Sequence, residues 1–289
     1  MSHWLQITLR LPGHQADAAE QLLQAAGSLS VTWLDAQDQP LLEPAPGEQP
    51  VWDEVVLKGL FPAETPLNAL QQACEQLPGC RWLGMERLED RAWERAWMDR
   101  FAPMRFGQRL WIVPTSHPVP DDAQVVLRLD PGLAFGTGTH ATTSLCLQWL
   151  DAHPPRGAVL DYGCGSGVLA LAALLLGADH ATGVDIDPQA LEASRDNAQR
   201  NGLHNRLALY APENLPASQF PLVLAKILAE PLCQLAAELA GRVRPGGHLV
   251  LSGILAEQAH TVRQAYDRHL QFQQQHQQDD WVRLVFTRP

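Results

Sequence analysis

Val159-Leu160-Asp161-Tyr162-Gly163-Cys164-Gly165-Ser166-Gly167-Val168-Leu169, followed by Gly183-Val184-Asp185-Ile186-Asp187, decides the fold of this chain. An apolar strand runs into three alternating glycines and then a helical pattern, and an acid ends the next apolar strand about twenty residues on. That order describes a nucleoside-binding βαβ unit. Glycine lets the backbone turn sharply and lets a ligand lie against the main chain with no Cβ in the way. An aspartate at the end of the second strand can accept both hydroxyls of a ribose. The competing reading, a tight turn with a surface aspartate, does not account for strand, turn, helix, strand and acid in sequence.

The spacing also bears on which nucleoside. Dinucleotide folds carry G-x-G-x-x-G, with the pyrophosphate at the helix N-terminus, whereas this chain reads G-x-G-x-G over Gly163, Gly165 and Gly167. Asp161, just before the turn, places a carboxylate where a pyrophosphate would be repelled and a cationic amino-acid group attracted. This favours S-adenosylmethionine, whose methionine end carries an ammonium and a sulfonium.

Working outward, segments 4–10, 29–34, 52–60 and 81–88 read as strands and 17–26 and 66–77 as helices, with a Pro-rich loop over 39–50. The order β-α-β-β-α-β predicts a small ferredoxin-like α+β domain over residues 1–89. Residues 90–101 read as a helix with Trp93, Trp97 and Phe101 on one face, a stripe that suits packing first and a partner surface second. This helix and a turn-rich connection, with a short strand over 109–114, form a linker through residue 122. Residues 123–289 then read as a doubly wound α/β domain. Its elements include a helix over 189–201, strands over 207–210 and 222–228, and a helix over 232–243. Pro245-Gly246-Gly247 reads as a sharp stop before a strand over 248–252. The tail, 270–276 and 281–287, alternates as an antiparallel hairpin, and a mostly parallel sheet closed by such a hairpin is the Class I methyltransferase arrangement.

Composition sets limits. The chain has 289 residues, 46% of them hydrophobic, enough for one large α/β domain and a smaller one. No apolar run of about eighteen residues occurs, and the start lacks the cationic and apolar regions of a signal peptide, so a cytoplasmic protein without a membrane segment is expected. Cys74, Cys80, Cys146, Cys164 and Cys233 are odd in number and contain no C-x-x-C pair, which argues against a zinc site. Of the net charge of −11, residues 1–90 supply −9, from four Lys or Arg against thirteen Asp or Glu. An acidic first domain suits a basic protein partner better than nucleic-acid phosphate, although ordinary solubility explains the same charge.

With these residues assembled, the chain resembles the bacterial ribosomal protein L11 methyltransferases, which act on a stalk-base protein of the large subunit. The resemblance runs nearly end to end. Its most specific part is Leu129-Asp130-Pro131-Gly132-Leu133-Ala134-Phe135-Gly136-Thr137-Gly138-Thr139-His140, with Thr142-Thr143 opening the next helix. It implies an S-adenosylmethionine-dependent protein N-methyltransferase acting on lysine side chains and the N-terminal amine, with the first domain gripping the substrate. Family cofactor-binding positions carry over to Thr143, Gly163 and Asp185, beside Asp161 and Gly165 from the glycine run itself. A basic ribosomal protein is the implied partner, and a monomer with no direct nucleic-acid binding is expected.

The residues are consistent with that chemistry. A Gly- and Thr-rich loop entering a helix N-terminus can close over the methionine end of the cofactor and offer donors to its carboxylate. Leu133 and Phe135 can wall off the reacting amine. His140 is a candidate base, although a histidine beside a helix start is more often a cap. The chain departs from the family at Lys226, where the family has Asn, and at Pro221, where it usually has Asp. A lysine cation about 4 Å from a sulfonium would cost roughly 4 kcal/mol at an effective dielectric near 20. Either Lys226 turns away, or it is neutral, or the protein is a poor catalyst. The alternative function is a catalytically impaired module that binds cofactor and ribosomal protein. Methylation of a small molecule or nucleic acid on the same fold fits the acidic first domain less well.

Overall fold

A computed structural model of the chain describes residues 3–37, 51–89, 102–130 and 140–289. The expected Pro-rich loop, the Trp93–Trp97 helix and the stretch with Leu133 and Phe135 lie outside the described residues. The chain divides into two compact units, Met1–Ala96 and Trp97–Pro289.

In the first unit, β1 (His3–Pro12) turns Ile7, Leu9 and Leu11 inward. Helix α1 (Ala16–Ala25) buries Ala16, Ala19 and Leu23, and α2 (Asn68–Glu75) buries Leu70 and Cys74, each at helical spacing. With β2 (Ser30–Asp35), β3 (Glu54–Pro62) and β4 (Arg81–Glu89) the strands form one antiparallel sheet in the order β2-β3-β1-β4. The strict alternation of β3, with Val55, Leu57 and Phe61 buried, reflects a sheet covered by helices on one face only. This is the expected split β-α-β arrangement.

The second unit holds two sheets. The smaller one joins β5 (Met104–Phe106), β6 (Leu110–Val113) and β7 (Val125–Arg128). Of these the sequence pattern had marked only β6. The larger sheet comprises β8 (Ala158–Tyr162), β9 (His180–Val184), β10 (Leu207–Tyr210), β11 (Phe220–Lys226), β12 (Val243–Leu255), β13 (Gln271–Gln278) and β14 (Trp281–Thr287). Their order is β10-β9-β8-β11-β12-β14-β13, parallel as far as β12 and closed by the antiparallel β13–β14 hairpin. Helices α3 (Ala141–Ala152), α4 (Val168–Leu176) and α5 (Pro188–Arg200) precede α6 (Ala229–Gln234), α7 (Ala236–Arg242) and α8 (Ala259–Tyr266).

Both faces of the central strands of this sheet are buried. Leu222 and Leu224 of β11 join a cluster with α3 and α4, while Val223 and Ala225 join the opposite cluster with α6, α7 and α8. Strands β8 and β11 accordingly read as nearly continuous apolar runs up to Asp161 and Lys226.

Two details of the sequence reading need correction. The helix expected over 232–243 begins earlier and is two short helices, with Leu235 between them at φ −88 and ψ 6. Pro245-Gly246-Gly247 does not precede its strand but lies within β12. The β11–β12 register jumps there from Phe220↔Val243 to Leu222↔His248, with Gly246 at φ 72. Proline cannot donate to a ladder and a left-handed glycine turns the chain, so a bulge and a stop share one sequence signal. The backbone NH of Gly246 bonds the Arg288 carbonyl at 2.8 Å, and that of Arg288 bonds the Gly247 carbonyl at 3.0 Å, tying the bulge to the C-terminal end.

Candidate active site at the carboxyl ends of β8 and β11

Strands β8 and β11 are neighbours, yet the helices that follow them go to opposite faces: α4 to one cluster, α6 and α7 to the other. Such a switch point leaves a crevice outside the strands' carboxyl ends, where open α/β sheets bind ligands. Every described candidate on β8, β11 and the turn after β8 lies at this end.

The turn is built by glycine for a structural reason. Gly163, Gly165 and Gly167 have φ of 78, 54 and 77, a left-handed backbone that a side chain strains. A Cβ on Gly163 would stand 2.2 Å from Ile227 Cγ2, and one on Gly167 would stand 2.8 Å from Ser194 Oγ. The turn is pinned below by the NH groups of Gly163 and Cys164, which donate to the Val184 carbonyl at 2.7 and 2.9 Å. Two residues of α5 hold it from the side: Ser194 Oγ donates to the Gly165 carbonyl at 2.8 Å and Asn197 Nδ2 to the Ser166 carbonyl at 2.9 Å. Sequence reading missed both, because a serine and an asparagine inside a helix carry no signal of which turn they face.

Asp185, just past β9, accepts from the Gly165 NH at 2.8 Å and from the Asp187 NH at 3.0 Å. The acid and the turn are therefore coupled directly, and the carboxylate faces the crevice only half-buried. The next residue, Ile186, is 85% exposed. An isoleucine presented this openly beside a ribose-type acid offers an apolar surface for a flat ring. The sequence named the position without predicting the exposure.

Asp161 is 1% exposed. Its Oδ2 accepts from the Ala170 NH at 3.1 Å, in the first turn of α4, while its Oδ1 is buried with no hydrogen-bond partner among the described residues. Burial pushes its carboxyl up to about 7, against the opposing pull of the Lys226 cation and the Ala170 NH. A buried carboxylate with a free oxygen beside a glycine cradle suits a cationic ligand group. The residues thus fit the ammonium end of S-adenosylmethionine.

Lys226 ends β11, half-buried, on the same sheet face as Leu222 and Leu224. Leu224 stands opposite Asp161 in the parallel ladder, so Lys226 is the diagonal neighbour of Asp161 on that face. Its charge also acts on His140 and on the buried Cys146 of α3. Lys226 thus stands at the carboxyl end of β11, on the face that carries Asp161.

His140 is the N-cap of α3. Its Nδ1 lies 2.8 Å from Thr142 Oγ1 and accepts from the Thr142 NH at 3.3 Å, and its ring packs edge-on against Trp281 at 4.8 Å. Desolvation first, and the Lys226 cation second, hold its imidazole below the usual histidine range. Thr143, one turn into α3, is buried and its NH donates to the His140 carbonyl at 3.0 Å. Beneath α3 the buried Arg283 donates through Nη1 to the Leu145 carbonyl at 2.9 Å, a cation that the alternation of the last strand did not suggest.

The family model described as "Ribosomal protein L11 methyltransferase (PrmA)" matches residues 3–289. The chain is 54% identical over 285 residues to the ribosomal protein L11 methyltransferase of Azotobacter vinelandii, covering 97% of this chain and 98% of that one. To the protein of the same name from Pseudomonas aeruginosa strain PAO1 it is 53% identical over 285 residues, with 97% of each chain covered. Among solved structures, the ribosomal protein L11 methylase of Lactobacillus delbrueckii subsp. bulgaricus superposes with a TM-score of 0.59 at 33% identity, over 65% of this chain and 99% of that chain.

Proposed function

The chain belongs to the ribosomal protein L11 methyltransferase family, and from that premise we propose that it methylates amines of ribosomal protein L11 in the crevice at the carboxyl ends of β8 and β11. It is an S-adenosylmethionine-dependent protein methyltransferase, and the acceptors are lysine side chains and the N-terminal amine. The observation that carries the site assignment is Asp161: a buried carboxylate whose Oδ1 has no partner among the described residues, beside three left-handed glycines.

When bound, the cofactor supplies a methyl group already activated by its sulfonium. The protein's part is placement. Asp185 accepts the ribose hydroxyls, Gly163 and Gly165 let the ligand lie against the main chain, and Ile186 covers one face of the base. Asp161 Oδ1 accepts from the methionine ammonium, and Thr143 at the start of α3 serves the methionine carboxylate. His140 is assigned to capping α3. An acceptor lysine must arrive neutral, which from a free pKa near 10.4 costs roughly 4 kcal/mol at pH 7.5. Desolvation by apolar channel walls offsets part of that cost by lowering the amine's pKa. Alignment of amine and methyl carbon then supplies most of the rate.

The acidic first unit is assigned to gripping the basic substrate protein, with the enzyme acting as a cytoplasmic monomer. No helix among the described residues is long and apolar enough to cross a membrane. A second reading, a binding module with impaired turnover, draws its support from Lys226 as the diagonal neighbour of Asp161 at the carboxyl end of β11. Intact-mass analysis of purified L11 after incubation with enzyme and S-adenosylmethionine separates the two. The proposal expects added methyl masses on L11. Cofactor binding with an unchanged L11 mass contradicts it and supports the binding module.

A further inference from the structure

The Lys226 cation lies where only one of the reaction's two nucleoside species carries a second positive charge. We infer that Lys226 is a specificity-determining residue that makes this crevice favour the demethylated product, S-adenosylhomocysteine, over the methyl donor. The inference rests on the proposed cofactor site.

Its geometry comes from the sheet. Asp161 and Lys226 share one face of neighbouring parallel strands, with Leu224 directly opposite Asp161 and Lys226 two residues further on. Diagonal neighbours on a sheet stand about 7–8 Å apart, within reach of a long side chain. The lysine's charge acts on Asp161 of β8, on His140 at the start of α3 and on Cys146 within α3. The other charged group acting on Asp161 is Asp185.

Connectivity of the ligand does the rest. In both nucleosides the sulfur links the ribose carbon to the amino-acid chain. A ligand with its ribose at Asp185 and its ammonium at Asp161 therefore carries its sulfur over the glycine turn, at the end of the sheet where Lys226 stands. The ammonium, carboxylate, ribose and base are common to both ligands, so their contacts with Asp161, Thr143, Asp185 and Ile186 largely cancel in the ratio of affinities. What remains is the charge on sulfur: a sulfonium in the donor, a neutral thioether in the product. At an effective dielectric near 20, two unit charges about 8 Å apart repel enough to change affinity by about tenfold or more. A neutral side chain at this position would not impose it.

Calorimetric titration of the full chain with each nucleoside tests this at equilibrium, without methyl transfer to a substrate. The wild-type protein is expected to bind S-adenosylhomocysteine at least tenfold more tightly than S-adenosylmethionine. Lys226→Met and Lys226→Gln should narrow that ratio about tenfold, mainly by tightening the donor, whereas Lys226→Arg should preserve it. The wild-type ratio and the arginine variant are informative whether or not the neutral variants fold. Equal wild-type affinities, or a ratio unmoved in Lys226→Met and Lys226→Gln, would overturn the inference while leaving the cofactor site standing. Failure of the wild-type protein to bind either nucleoside would overturn the site and the inference together.

Discussion

The two main sheets of this protein obey different rules of burial, and the difference locates the chemistry. In the four-stranded sheet every second residue of β3 is buried, because helices cover one face only. In the seven-stranded sheet β8 and β11 are buried on both sides, so polar residues are excluded along most of their length. The exceptions on the α3–α4 face are Asp161 and Lys226, both at the carboxyl end. A polar residue on the open face of the first sheet needs no explanation. A carboxylate buried in the second, with one oxygen unpartnered among the described residues, does.

The largest effect expected from this contrast is at glycine. Gly163→Ala would place a Cβ 2.2 Å from Ile227 Cγ2 in a left-handed backbone, whereas a Cβ on Gly84 of the first sheet would meet nothing within 4 Å. We expect Gly163→Ala to destabilise the second unit by about 3 kcal/mol or more, and Gly84→Ala to change stability by less than about 1 kcal/mol. Denaturant melts of the two variants check this, and similar midpoints would remove the distinction between the sheets.

Next in size is the cost of burying Asp161. Its folded pKa is raised to about 7 from an ordinary 3.8, so between those values the folded chain holds a proton that the unfolded chain has lost. The stability contributed by the neutral carboxyl is full below about pH 4 and is lost as pH rises through about 7, at on the order of 1 kcal/mol per pH unit. Asp161→Asn has no such loss. Above pH 7 the ligand-free variant should melt higher than the wild-type protein, and parallel melting curves from pH 4 to 8 would show that the carboxyl is not desolvated as described.

The ribose acid gives a smaller effect. Asp185→Ala should weaken S-adenosylmethionine by about 1 to 3 kcal/mol, as expected for an acceptor lost from a polar site. Unchanged affinity by calorimetry would put the ribose elsewhere. Smallest is Ile186→Ser, which removes apolar cover from one face of the base and should cost about 1 kcal/mol in affinity with no loss of stability. An affinity equal to wild type would return Ile186 to the ordinary scatter of exposed apolar residues.

How much of this was legible in sequence follows from the same contrast. Alternation over 4–10 marked the first strand, and the glycine run with Asp185 marked a nucleoside-binding turn, since both signals are local. The three residues of β5 and four of β7 are too short for any period to register. The Pro245-Gly246-Gly247 bulge reads like a stop because the same residues serve both. Ser194, Asn197 and Arg283 act across 29, 31 and 138 positions of chain, distances over which one sequence gives no pairing information. Lys226 could be singled out only against the family's Asn, and its place beside Asp161 became clear from the β8–β11 register.

The most direct test of the crevice is the proton released when S-adenosylmethionine binds near pH 6. There the ligand's ammonium is charged while Asp161 is largely protonated, so seating the ammonium against Oδ1 must expel the carboxyl proton. His140, held below its usual range by desolvation first and the Lys226 cation second, contributes less. Calorimetry in buffers of differing ionisation enthalpy should find close to one proton released by the wild-type protein, and little by Asp161→Asn. Equal proton release by the two proteins would show that Asp161 does not receive the cofactor's cationic end.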